Sequence, residues 1–185
     1  PFAGNDGFVL SDGSASVLIE DEKAAKERGA RIYCHASGYG MAHSSVKFGT
    51  LTGSEAGLTN AVNNALADAG MTIDDIDAVF GFANGMKAVD DVEIKGMTAV
   101  FGDKLAEKPV VELKEVLGES RAAAATTAAA HAALMFAGKI PSQEAYSIAA
   151  DGSVSKTNVE ASKLNNVLVV AYGAGGSYTA IVLSK

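Results

Sequence analysis

Asp77-Ala78-Val79-Phe80-Gly81-Phe82-Ala83-Asn84-Gly85-Met86-Lys87-Ala88-Val89-Asp90 is the stretch that decides the fold. Its first part is a continuous apolar run, the pattern of a strand covered on both faces in an α/β sheet. The loop that follows is a natural place for a site. Upstream, Ala56, Leu58, Ala61, Val62, Ala65, Leu66 and Ala69 recur at three- and four-residue steps, predicting an amphipathic helix over 54–69 that Gly70 stops. Downstream, the pattern predicts a helix over 90–101, a second buried strand over 109–113 and an Ala-rich helix over 119–137. Two strands over 166–172 and 178–184, joined by Gly173-Ala174-Gly175-Gly176-Ser177, close the chain as a hairpin. The order is β-α-β-α, and one α/β unit accounts for it. Residues 140–164 are the longest stretch without an assigned element.

At the other end, residues 1–7 read as a loop. The apolar runs over 8–10 and 16–19 flank Ser11-Asp12-Gly13-Ser14 and predict a hairpin. A charged helix over 20–28 stops at Gly29, and a strand is expected over 31–36. Pro1 is not an initiator methionine, so the expectation is a fragment or a processed chain that begins inside a domain.

With 185 residues, 48% hydrophobic and 20% charged, the chain has the composition of a core-forming globular protein of one or at most two domains. Fifteen basic against 22 acidic residues give a net charge of −7, which lacks the electrostatic footprint of a nucleic-acid binder. No run approaches the roughly 20 apolar residues of a membrane span, and no signal or transit segment is visible. A soluble protein in a reducing cytoplasm is expected, because the single Cys34 has no internal disulfide partner.

Taken singly, the reactive residue types point to little chemistry. Gly173 to Gly176 lead into a strand, whereas a phosphate cradle leads into a helix N-terminus. Cys34 and His35 are neighbours on a strand, so their side chains point to opposite faces. His131 on the Ala-rich helix and His43, placed in a polar loop, have no visible partner. Asp74, Asp75 and Asp77 suit a solvated turn better than a metal cluster, and the histidines and cysteine have no metal-ligand spacing. The Ala and Thr content of the 119–137 helix implies central packing between layers.

Four segments in order resemble the β-ketoacyl synthases, condensing enzymes of thiolase fold. Pro1-Phe2, then Asp6-Gly7-Phe8-Val9 and Asp12-Gly13, resemble the family's "PF…DGFV.GEG" segment, with Asp12 in place of Glu. Leu18-Ile19-Glu20, the helix to Gly29-Ala30, and Ile32-Tyr33 through Gly38-Tyr39-Gly40 continue the match. Active synthases follow the central strand with "AHGTSTPLGD", where the histidine helps decarboxylate the malonyl thioester; here Asn84 stands at its position. The run from Asp77 through Asp90 and Glu93 to Val100-Phe101-Gly102 is similar to chain length factors, the non-condensing partner subunits of type II polyketide ketosynthases. Active enzymes also carry "K.MTGH"; here Lys114 and Gly118 match, and Glu119 replaces the second histidine. Tyr172-Gly173-Ala174-Gly175-Gly176 resembles the "FGFGG" gate loop, with Tyr172 and Ala174 at the two Phe positions.

The resemblance implies a layered α-β-α-β-α fold of two similar halves. Residues 1–35 would supply the closing strands and helix of the N-terminal half, and residues 36–185 the C-terminal half. It implies no catalytic residue, because a carboxylate at Glu119 would repel the enolate that an imidazole stabilises. No metal and no cofactor bound by this chain are implied. The implied partners are an active ketosynthase α subunit, a separate or cleaved N-terminal half, and an acyl carrier protein whose phosphopantetheine arm carries the substrate. The implied role is a non-catalytic subunit of an acyltransferase complex that shapes a polyketide tunnel. Two alternatives stand beside it: an active or decarboxylating synthase in which His43 or His131 replaces the lost pair, and a purely structural thiolase-fold scaffold.

Overall fold

Apolar runs that alternate cleanly between two faces of one sheet organise the chain. The computed structural model describes residues 1–2, 6–47 and 53–185. After helix α1 (Glu22–Glu27) come strand β1 (His35–His43), helix α2 (Glu55–Ala69), β2 (Ala78–Phe80), α3 (Lys87–Phe101), β3 (Val110–Val111), α4 (Lys114–Leu117), α5 (Ala124–Phe136), β4 (Ser142–Ile148), β5 (Val154–Glu160), β6 (Asn166–Gly173) and β7 (Ser177–Ser184). The strands form one seven-stranded sheet in the order β1-β7-β6-β2-β3-β4-β5. The central β2 is parallel to both neighbours, with Val79 opposite Val110 and Leu168, and all its residues are buried.

Period-two alternation sends Val79, Leu168, Val170, Ala180 and Val182 to one face, under α2 and α3. Ala78, Phe80, Val111, Val167 and Val169 go to the other, under α5. Phe80 is fully buried; a side chain of that size contributes roughly 1.5–3 kcal/mol from burial. The helix α2 forms as its periodicity predicts, and Gly70 closes it in the left-handed conformation at φ 64°. The expected strands over 78–82, 109–113, 166–172 and 178–184 and the helices over 90–101 and 119–137 are all present. The last of these begins with a 3-10 turn, Arg121–Ala123, and α3 starts earlier than expected.

Three expectations fail: the hairpin over 8–19, the strand over 31–36 and the polar loop at His43. Residues 8–19 form no hairpin; the segment makes one isolated bridge, Leu10 to Glu119, and Val9, Leu18 and Ile19 are 78%, 79% and 74% exposed. Its strand-like sequence finds no ladder partner among the described residues, and unpaired backbone does not hold a strand. The strand expected over 31–36 lies instead at β1, which takes in His43 and so replaces the polar loop expected there. Its glycines set this register: a side chain on Gly38 or Gly40 would overlap the backbone carbonyls of Ala65 or Ala61 in α2. The unassigned stretch 140–164 holds the β4–β5 hairpin, paired from Ser142 with Glu160 to Ile148 with Val154. The loop expected over residues 1–7 lies partly outside the described residues.

Candidate functional site

Parallel strands end on the same edge of a sheet, so the loops after β2 and β3 lie side by side there. The first carries Asn84 and the second Lys114 and Glu119. Asn84 Oδ1 accepts a hydrogen bond from Met86 N (3.0 Å), an Asx turn that aims Nδ2 at Glu119 Oε2 (3.1 Å). Lys114 Nζ donates to the same Glu119 oxygen (2.8 Å) and to the Phe82 carbonyl (2.9 Å). Glu119 Oε1 accepts from Arg121 N (2.7 Å). Arg121 holds a left-handed φ of 53°, a strained conformation for a residue with a side chain.

Around this set the chain is laced by its N-terminal segment. Asp90, in the first turn of α3, accepts from the backbone N–H groups of Asn84, Gly85 and Phe2. Gly7 N donates to Gly85 O (3.0 Å), and Glu119 N donates to Val9 O (2.8 Å). Residues 6–11 therefore work as a strap across both loops, with Phe8 on the wall of the site.

The side chains of Lys114 and Glu119 are 16% and 9% exposed. Burial pushes the Glu119 carboxyl upward, but the hydrogen bonds from Lys114 and Asn84, the Lys114 charge and the Arg121 N–H together outweigh it and hold the group below the ordinary glutamate value. Glu119 is thus an ionised, fully accepting group, and Lys114 is its counter-ion.

A cavity of about 500 Å³ opens beside this network. It is lined by Asn84, Lys114 and Glu119 together with Tyr172, Gly173 and Ala174, so these predicted site residues meet at one place. Gly175 and Gly176 do not line it; they make the β6–β7 turn at φ 101° and 89°, values that favour glycine. The Tyr172 ring packs against Tyr178 and Phe82, with centroids 5.2 and 5.7 Å apart. Composition placed the Ala-rich helix in the architecture alone, yet Ala125, Thr127 and Ala128 of α5 form part of the cavity wall. Their small size was the available signal, since small side chains leave room.

The remaining candidates lie elsewhere. His43 lies at the end of β1. His131 packs against the Phe80 ring at 6.0 Å, and burial lowers its basicity. Cys34 is half-buried, which pushes its thiol up. Neither these three residues nor His35 line the cavity. Asp75 closes a capping box with Thr72, Asp77 accepts from Asn165 N and Asn166 N, and Asp74 pairs with Lys104, so each acid has its own structural partner. Among the described residues no three His, Cys, Asp or Glu side chains cluster as metal ligands would, and no helix is long and apolar enough to cross a membrane.

Comparison with known proteins agrees with this architecture. The ishigamide ketosynthase/chain length factor superposes with a TM-score of 0.84 at 24% identity, covering 98% of this chain and 45% of that one. The fold is accordingly that of the thiolase-like ketosynthases. A putative polyketide beta-ketoacyl synthase 2 of Streptomyces coelicolor is 30% identical over 181 residues, 97% of this chain and 42% of the relative. A 3-oxoacyl-[acyl-carrier-protein] synthase 2 of Coxiella burnetii is 31% identical over 121 residues, 65% of this chain and 29% of the relative. The chain thus spans less than half the length of these relatives. Residues 33–147 match the beta-ketoacyl synthase C-terminal domain, and with that match running through both site loops the chain belongs to the beta-ketoacyl synthase family.

Proposed function

We propose that this chain is the C-terminal portion of a non-condensing chain length factor, which pairs with an active ketosynthase α subunit and walls the tunnel into which a polyketide grows. The observation that carries this is the Asn84–Glu119–Lys114 network. Decarboxylative condensation needs hydrogen-bond donors aimed at a developing enolate oxygen. An ionised carboxylate offers none and repels the charge, and its lysine is already committed to it. Asn84 is committed in the same way, its amide donating to Glu119 and its carbonyl tied to Met86. What remains is a walled space of about 500 Å³, suited to shaping a chain rather than reacting with it.

On this reading residues 1–35 complete the first half of the fold and residues 36–185 form the second. A separate or cleaved N-terminal half would cover the exposed Val9, Leu18 and Ile19. An acyl carrier protein would deliver intermediates on its phosphopantetheine arm to the partner subunit, in the cytoplasm. The active-enzyme alternative would require His43 or His131 at the cavity, and neither lines it.

The test is reconstitution of the protein with an active ketosynthase and carrier protein. Without the ketosynthase, malonyl thioester is expected to stay intact; turnover would favour the condensing alternative. In the complex, Ala125→Phe is expected to shorten the product by narrowing the cavity. An unchanged product distribution with an intact complex would favour the scaffold alternative.

A further inference from the structure

Gly81 lines the cavity, and behind it lie two carboxyl groups that the site network does not use. Glu93, from α3, is fully buried, and Glu112, just after β3, is 3% exposed. A Cβ built on Gly81 would overlap Oε1 of both, so these two oxygens face each other across the small space that the absent side chain leaves. Glu93 Oε2 accepts a hydrogen bond from Phe82 N (2.7 Å). Glu93 Oε1 and both oxygens of Glu112 receive no donor.

Two ionised carboxylates cannot occupy such a space, because each is stripped of water and each repels the other. The donor the arrangement lacks is a proton between them. We propose that Glu93 and Glu112 share a single proton in an acid–carboxylate hydrogen bond, Glu112 donating, and that this bond is the positioning element for the Gly81–Phe82 wall of the site. The assignment of the proton follows from the Phe82 N–H, which stabilises negative charge on Glu93 through a hydrogen bond that Glu112 lacks. Burial is the main cause raising both groups above the ordinary glutamate value, and Glu112 is raised furthest. The charged groups facing the pair act on the same balance: Asp90 of α3 opposes a second negative charge, and Lys114 tolerates one. Phe82 links the pair to the site, because its carbonyl accepts from Lys114 and its ring packs on Tyr172.

Loss of the shared proton to solvent would leave two facing carboxylates and strain the Phe82 N–Glu93 bond. The native state binds this proton more tightly than the unfolded chain. The stability it contributes is therefore complete below the ordinary glutamate value and is lost as pH rises through the raised one. This inference rests on the geometry behind Gly81 and not on the chain-length reading, so either can fail alone.

The experiment uses the whole protein and Glu112→Gln, whose amide donates to Glu93 at every pH. The variant is expected to match wild type near pH 5 and to exceed it in Tm by roughly 3 °C or more near pH 8. The infrared C=O band of a buried protonated carboxyl is expected in wild type at neutral pH and absent from the variant. Parallel pH profiles, or a band that survives in the variant, would overturn the proposal. Should the variant not fold, ¹³C-glutamate NMR of wild type decides: one carboxyl still protonated at neutral pH supports the shared proton, and all glutamates titrating at ordinary values refutes it.

Discussion

Glu112 and Glu119 flank the short helix α4 and meet opposite fates. Glu119 sits at the cavity rim with Lys114, Asn84 and the Arg121 N–H all donating to it, and it is held ionised. Glu112 sits behind Gly81, is equally withdrawn from water and has no donor; its carboxyl is pushed far up. Burial penalises the charged form of both. The difference is the supply of donors, which converts the same side chain into a fixed anion in one place and an acid in the other.

The most damaging way to break this contrast is to remove the cation. Lys114→Met would leave Glu119 buried without its partner and Phe82 O without its donor, and is expected to cost on the order of 3 kcal/mol by chemical denaturation. Adding Glu119→Gln to it should restore part of the loss, because no stranded charge remains.

Gly81→Ala attacks the other side. Its methyl would overlap both buried carboxyls, and a cost of about 2 kcal/mol is expected, with the Phe82 amide losing hydrogen-exchange protection. An Ala variant as stable as wild type would mean that the carboxyls have room to part.

The smallest and sharpest effect is the pH dependence of Glu119→Gln. Because the Glu119 value is lowered on folding, its contribution is present above the ordinary carboxyl value and is lost as pH falls through the lowered one. The variant should therefore be weaker than wild type by about 1.5 kcal/mol at neutral pH and converge with it in acid. Denaturation midpoints across pH measure this directly, and the trend is opposite in sign to that expected for Glu112→Gln.

How much of this was legible beforehand differs from element to element. α2, β2, β6 and β7 follow from hydrophobic spacing alone, since each buries a periodic or continuous apolar set. β4 and β5 were opaque because they lie toward one edge of the sheet, and polar residues such as Gln143, Glu144, Lys156 and Asn158 dilute their alternation. The position of β1 is hidden in the sequence because Gly38 and Gly40 weaken strand propensity, while their value lies in admitting the backbone of α2. The residues 8–19 read as a hairpin because local turn chemistry says nothing about whether a neighbour exists to pair with.

Local patterns along the chain suffice for the α/β class and for the loop that ends at Asp90, and residue identities suffice to mark Asn84, Lys114 and Glu119 as candidates. That Asn84, Lys114 and Glu119 meet is a property of the folded arrangement and not of their spacing along the chain. Their contact depends on β2 and β3 running parallel, which brings the loops after both strands to one edge. The folded arrangement also decides the protonation of the glutamates, because a carboxyl's charge in a folded chain follows from the donors and the water around it, and neither is written in its neighbours along the chain.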